Sequence, residues 1–258
     1  MKFSVGIDCG SRTIKLLLFN QVTKSIIDYN IIESGLFPDQ IIKKELETLL
    51  LKNYLSFEKI HAIFSTGYGR NNIGLNFTSK SEIICHAKGV NFLLPNANSI
   101  IDIGGQDSKI INIDQNGKVL DFIMNDKCAA GTGRFLEKVA NILNCRLDQL
   151  SELASQYDKN ITISSTCVVF AESEIIGLLS TGEKPENIIY AVYNTIAHRI
   201  KSQAGALFLK GPLAFVGGVA NHHIMLNLLN KTFNLEIVSP SNPSLTGALG
   251  AAILASES

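Results

Sequence analysis

The feature that most limits how this chain can fold is a theme it states twice. Residues 3–8 (FSVGID) form a short apolar run that ends in Asp8-Cys9-Gly10-Ser11, and a second apolar run, IKLLLFN at 14–20, follows at once. Residues 99–114 (SIIDIGGQDSKIINID) do the same: an apolar run closes on Asp102, Gly104 and Gly105, and a second run leads to a turn at Gln115-Asn116-Gly117. Runs this short, punctuated by Gly and Asp, predict strand, tight turn, strand. The repetition is one of architecture rather than of sequence. It predicts an α/β chain of two related halves with a cleft between them.

The remaining pattern fits that plan. SIIDYNIIE at 25–33 predicts a third strand, and Ile41, Ile42, Leu46, Leu49 and Leu50 fall at helical spacing after Pro38, which suits a helix start. A strand is expected at 60–67, a helix at 81–92, and two helices, 129–143 and 168–179, that each follow a cysteine. A helix at 188–209, a strand at 212–218 and a small-residue helix at 246–255 complete the chain. The expected division is a half-domain at 1–97, joined by the C-terminal helix 245–258, and a second half-domain at 98–244.

Composition removes several function classes. Lys plus Arg (23) equals Asp plus Glu (23), so no basic excess points to nucleic acid or an anionic membrane. No run approaches the roughly 20 apolar residues needed to span a bilayer. MKFSVGIDCG lacks the layout of a secretory signal, and the expected location is cytoplasmic. Five cysteines, an odd number spread through a core of this size, predict buried thiols or ligands rather than a disulfide framework.

Both Asp8-Cys9-Gly10-Ser11 and Asp102-Ile103-Gly104-Gly105-Gln106-Asp107-Ser108 have the makings of a phosphate loop. Glycines turn the backbone tightly and bring N–H groups to an anion; an aspartate at a strand end can hold Mg²⁺ through water. Gly217-Gly218-Val219-Ala220-Asn221 is a third glycine site at a strand end, suited to close passage beside a nucleoside. Each alone reads equally as a hairpin turn, but three in this order are far more specific. Neither Rossmann nor Walker spacing is present. Cys128 (NDKCAAGTGRFLE) and Cys167 (ISSTCVVFAESEI) share a second theme, polar residues before the cysteine and an amphipathic helix after it. A helix N-terminus favours the thiolate form of a cysteine placed there. The glycines of CAAGTG imply close approach by something. Cys9, Cys85 and Cys145 are read as buried thiols, and His86, His222 and His223 as surface or satisfied histidines. Two thiols complete neither a [4Fe–4S] site nor a zinc site, whereas a two-fold dimer doubles them to four.

The three glycine sites resemble those of the actin-like ATPase superfamily. The resemblance implies a duplicated ribonuclease H-like fold with two half-domains around a nucleotide cleft. Asp8 and Asp102 would then face Mg²⁺, Gln106 the attacking water, and Ser11, Thr13 and Lys15 the phosphates. Gly10, Arg12, Gly104, Gly105, Gly217, Gly218, Val219, Asn221 and Gly247 would complete the ATP/ADP site. A closer resemblance is to the activators of 2-hydroxyacyl-CoA dehydratases and the ATPase subunits of benzoyl-CoA reductase. GIDCGSRTIK, STGYGR, SEIICHAKG, DIGGQDSK, NDKCAAGTGRFLE, STCVVFAESEI, VGGVAN and TGALGAA look like that family's motifs in its order, from residue 5 to residue 252. It implies a homodimer with one [4Fe–4S] cluster held by Cys128 and Cys167 of each copy. It also implies a ferredoxin- or flavodoxin-type electron donor and a dehydratase or reductase as acceptor. His222 after Asn221, and Cys9 in the first loop, are small departures. Two other readings compete: a small-molecule kinase of the same superfamily, and a non-redox regulatory ATPase, with a zinc-stapled dimer as its variant. Both leave less of the cysteine pattern explained.

Overall fold

The computed structural model describes residues 3–71, 73, 77–164 and 167–258; Met1 and the Ser165-Thr166 pair before Cys167 lie outside them. In chain order the first elements are β1 (Phe3–Cys9), β2 (Thr13–Asn20), β3 (Ser25–Glu33), α1 (Pro38–Lys52), β4 (Ile60–Thr66), β5 (Thr78–Ser79) and α2 (Glu82–Leu93). Then come β6 (Ser99–Ile103), β7 (Ser108–Ile113), β8 (Val119–Asn125), α3 (Gly133–Ile142), α4 (Leu150–Ser155), α5 (Val168–Ser180) and α6 (Pro185–Ala204). The chain ends in β9 (Leu213–Val216), α7 (His223–Phe233), β10 (Ile237–Val238) and α8 (Thr246–Ser256). It divides into two compact units, Met1–Asn96 with Ile113–Leu120 and Ser244–Ser258, and Ala97–Asn112 with Asp121–Pro243.

The duplication anticipated from the sequence is visible in the strand orders. One sheet runs β3-β2-β1-β4-β5 and the other, read from its β8 edge, β8-β7-β6-β9-β10, the same order strand for strand. In each, the first two strands pair antiparallel (β1 with β2, β6 with β7), and the first strand also pairs parallel with a later one (β4, β9). A parallel partner requires a crossover, which is why a helix intervenes before β4.

In the first unit the alternation of β2 sorts its side chains between two layers. Ile14, Leu16 and Leu18 pack with Ile42, Leu46, Leu49 and Leu50 of α1. Leu17 and Phe19 pack with Leu245 and with Ala248, Leu249, Ala252 and Ile253 of α8. The small residues of α8 follow from its closeness to α2: a methyl group on Gly250 would overlap the Cys85 carbonyl. In the second unit Ile101, Ile103, Ile110, Leu213 and Phe215 of the sheet are buried under α3 to α7. The longest helix, α6, has Tyr193, Ile196 and Ile200 fully buried.

Several boundaries differ from expectation. The helix expected at 129–143 is broken: Ala129–Gly131 is a single 3-10 turn, Thr132 is extended (φ −138°, ψ 172°), and α3 begins at Gly133. α6 starts at Pro185, which its fixed φ and missing N–H suit to a first turn, and ends at Ala204, five residues before the expected Leu209. α5 is not amphipathic in the ordinary sense, since Val169, Phe170 and Ile176 are exposed while Ala171 and Ile175 are buried. α4 is too short to show a period.

Candidate functional site

Each unit carries the same polar device at the end of its first strand. Asp8 closes β1 and lies opposite Lys15 of β2 in the antiparallel register; Lys15 Nζ is 3.3 Å from Asp8 Oδ2. Asp102 on β6 lies opposite Lys109 of β7, with Nζ 3.2 Å from Asp102 Oδ2 and 2.8 Å from Asp107 Oδ1. The loops between these strands are closed alike, Gly10 N–H donating to the Thr13 carbonyl (3.1 Å) and Gly104 N–H to the Asp107 carbonyl (2.9 Å). Both aspartates are buried, and each therefore needs a cation close by. In both units a lysine ammonium supplies it.

Behind each aspartate a glycine follows the parallel partner strand. Gly67 after β4 (φ +89°) and Gly217 after β9 (φ +91°) both turn left-handed. A methyl on Gly67 would stand 2.6 Å from the Cys9 carbonyl oxygen, and one on Gly217 2.5 Å from that of Ile103. No L side chain fits either place.

The predicted residues fall on this frame as follows. Ser11 and Thr13 are half-buried in the first loop and Arg12 is exposed; Gly104, Gly105 and Gln106 form the second loop, half-buried. Gly247 sits at the first turn of α8, where a methyl would stand 3.1 Å from Asp8 Oδ2. Gly218 to Asn221 form a 3-10 turn, with Asn221 Nδ2 donating to the Gly218 carbonyl (3.0 Å) and Val219 buried. His222 ends that turn and is tied into the core, its Nδ1 sharing a hydrogen bond with the Tyr193 hydroxyl (2.5 Å). Burial pulls the His222 pKa down to about 4 and pushes that of Tyr193 up. His223 bonds Ser151 and Ser155, and His86 bonds Thr246 (2.9 Å), so all three histidines are satisfied.

Three residues of the device escaped sequence reading as site residues: Lys109, its second carboxylate Asp107, and Gly67. The signal was available, because seven residues separate Asp8 from Lys15 and Asp102 from Lys109 alike.

Both candidate ligand cysteines belong to the second unit. Cys128 is half-buried on an Asx turn: its N–H donates to Asn125 Oδ1 (3.0 Å), and Asn125 Nδ2 donates to its carbonyl (3.0 Å). Arg199 Nη1 reaches its Sγ at 3.8 Å. Cys167 is exposed and caps α5, its carbonyl accepting from Ala171 N–H (2.9 Å). Just before it, Ser164 donates twice to Glu174 of α5. Cys9 and Cys85 are buried, with pKa values raised by desolvation to about 11 and about 12. Among the described residues no three His, Cys, Asp or Glu side chains converge as a metal site. One chain thus offers two thiols, half of what a [4Fe–4S] cluster takes.

The close approach implied by CAAGTG is to the second phosphate loop. Gly133 N–H donates to the Gly104 carbonyl and Arg134 N–H to that of Gly105, both at 2.9 Å. A methyl on Gly133 would stand 3.2 Å from the Gly104 oxygen and 3.3 Å from the Gly105 Cα. Two orphan N–H groups of the first turn of α3, those of Gly133 and Arg134, are therefore satisfied by the Gly104-Gly105 loop.

This geometry has known counterparts. The model of the BadF/BadG/BcrA/BcrD ATPase family matches residues 5–255. The chain is 40% identical over 256 residues, 98% of it and 94% of the relative, to a 2-hydroxyisocaproyl-CoA dehydratase activator of Clostridioides difficile. It is 39% identical to the (R)-2-hydroxyglutaryl-CoA dehydratase activating ATPase of Acidaminococcus fermentans, covering 98% of this chain and 96% of that one. The solved structure of the Clostridium difficile activator with bound ADPNP superposes with a TM-score of 0.92 at 39% identity, over 99% of this chain and 94% of that one. The fold is the duplicated, ribonuclease H-like fold of actin-like ATPases, and the chain belongs to the BadF/BadG/BcrA/BcrD ATPase family.

Proposed function

We propose that this protein is an ATP-dependent activator that delivers a low-potential electron to a dehydratase or reductase of the 2-hydroxyacyl-CoA type. The observation that carries the reading is the pair of hydrogen bonds from Gly133 and Arg134 to Gly104 and Gly105, which joins the turn holding Cys128 to a phosphate loop. The family and the named relatives support the ATPase and activator parts.

Lys15 brings its ammonium group to the nucleotide phosphates, Lys109 holds Asp102 and Asp107 in place, and Asp8 and Asp102 orient the hydration shell of Mg²⁺. Gly10, Ser11, Arg12 and Thr13 form the first loop around the phosphates, and Gly104, Gly105 and Gln106 the second, with Gln106 placing the attacking water. The turn Gly217-Gly218-Val219-Ala220-Asn221, with Gly247, receives the nucleoside. When the second loop shifts with phosphate occupancy, its carbonyls carry the N-terminus of α3, and hence Cys128, with it.

Cys128 and Cys167 fit half of a [4Fe–4S] ligand set. The donors are two thiols, both ahead of helical N–H groups, one exposed and one half-buried beside a guanidinium. Two copies of the chain complete the four. When bound, such a cluster supplies a one-electron couple whose potential responds to hydrogen bonding and exposure. A ferredoxin- or flavodoxin-type protein is the electron donor in this reading.

Potentiometric titration of the anaerobic protein, followed by electron paramagnetic resonance with MgADP and with MgADPNP, tests it. The expected result is one cluster signal per dimer, with a lower midpoint potential in the ADPNP state. A protein that hydrolyses ATP and shows no reducible centre would contradict it.

A further inference from the structure

Helix α6 touches both the second phosphate loop and Cys128, on one face. Gln203 Oε1 accepts from Ser108 Oγ (3.0 Å), and Gln203 Nε2 donates to the Ser108 carbonyl (3.2 Å). Ser108 opens β7 directly after Asp107, at the base of the loop that Asp107 and Lys109 hold. Four residues before Gln203, and therefore one turn away on the same face, Arg199 places Nη1 at 3.8 Å from Cys128 Sγ.

The side chains at these two positions are chemically specific. Ser108 presents a donor and an acceptor at once, and glutamine, with one amide oxygen and one NH₂, meets both. Arginine keeps its charge at any working pH and holds a sulfur ligand without a proton of its own to lose. Between and around them Ile196, Ile200 and Ala204 are buried, so α6 is held as a rigid rod against the core of its unit along this stretch.

We propose that Gln203 and Arg199 are positioning residues that register the second phosphate loop against the Cys128 sulfur, by a route additional to the α3 contact. The proposal rests on the reading above that this loop binds ATP phosphates. A shift of Ser108 draws Gln203 with it, and Arg199, one turn along, moves relative to Cys128. The state of the nucleotide is thereby felt at the thiol as a change in the placement of one positive charge.

The test needs no cluster and no partner enzyme. Reduced, cluster-free protein is treated with iodoacetamide at fixed pH in the presence of MgADP or MgADPNP, and the Cys128 peptide is quantified by mass spectrometry. Cys167 serves as the exposed internal reference, and nucleotide affinity is measured separately with a fluorescent analogue. In the wild type the Cys128 rate is expected to differ between the two nucleotides by about fivefold or more, the lower end of ordinary coupling. Gln203→Met and Arg199→Gln are each expected to bring that ratio to less than about twofold while both nucleotides still bind, because the lost coupling lies outside the nucleotide contacts. Variants that bind nucleotide and keep the wild-type ratio would overturn the proposal. So would a wild type that binds both nucleotides without any change at Cys128. A wild type that binds neither nucleotide would overturn the ATP reading itself, and this proposal with it.

Discussion

Replacing Lys109 by methionine isolates the energetics of the second phosphate device. The Lys109 side chain is 1% exposed, and its Nζ lies 3.2 Å from Asp102 and 2.8 Å from Asp107. With an effective dielectric of about 20, each pair is worth roughly 5–6 kcal/mol of gross attraction. Most of that is offset by the cost of desolvating three charges. Removing the cation alone leaves the buried Asp102 and the half-buried Asp107 facing each other, and breaking a buried pair from one side costs about 3–5 kcal/mol. For a chain of this size that corresponds to a fall in Tm of roughly 6–20 °C. Lys15→Met is the internal control. It faces a single carboxylate at 3.3 Å, with the two side chains 13% and 10% exposed, and its loss is expected to cost about half as much. Thermal unfolding of both variants by calorimetry, without nucleotide, gives the comparison. A Lys109→Met protein that melts within about 2 °C of the wild type, or no lower than Lys15→Met, would refute this account of the buried triad.

Three further outcomes are expected. The folded-state pKa of His222 is about 4, below its ordinary 6.5, so its contribution to stability is present above pH 6.5 and is lost as pH falls toward 4. Urea unfolding at pH 7.5 and at pH 5 should show His222→Gln sparing about 2 kcal/mol of the wild-type loss; equal losses would contradict it. At pH 8, alkylation of native protein should label Cys167 and leave Cys9 and Cys85 unmodified, since burial holds those thiols at about 11 and about 12; early labelling of either buried thiol contradicts the packing described. Gly133→Ala should lower Tm by roughly 2–12 °C, since crowding of its methyl costs about 1–3 kcal/mol, and reduce ATP turnover by displacing Gly104 and Gly105. Unchanged turnover would separate α3 from the phosphate loop's function.

Much of the fold was legible because its signals are local. Apolar runs punctuated by Asp and Gly marked β1, β2, β6 and β7, and Pro38 marked the start of α1. The break at Thr132 was not legible, because it follows from the Gly133 contact with residues some thirty positions earlier. α7 carried a readable spacing, Ile224, Met225, Leu228 and Leu229, that went unused. Of the site, the aspartates and glycine loops stood out as motifs. Lys109 did not, because only the strand register places it between Asp102 and Asp107; the matching Asp-to-Lys interval in the two halves was its only trace in the sequence. The contacts of Arg199 and Gln203 are tertiary, made from the middle of a helix whose pattern reports only its buried face.

Iron and acid-labile sulfide per dimer, determined on protein prepared without air, bear most directly on the central claim that Cys128 and Cys167 hold a redox cluster between two copies of the chain. The account predicts about four of each, as a [4Fe–4S] cluster requires, and their loss in both Cys128→Ala and Cys167→Ala. Negligible iron after anaerobic reconstitution, with ATP hydrolysis intact in the wild type and in both variants, would contradict it.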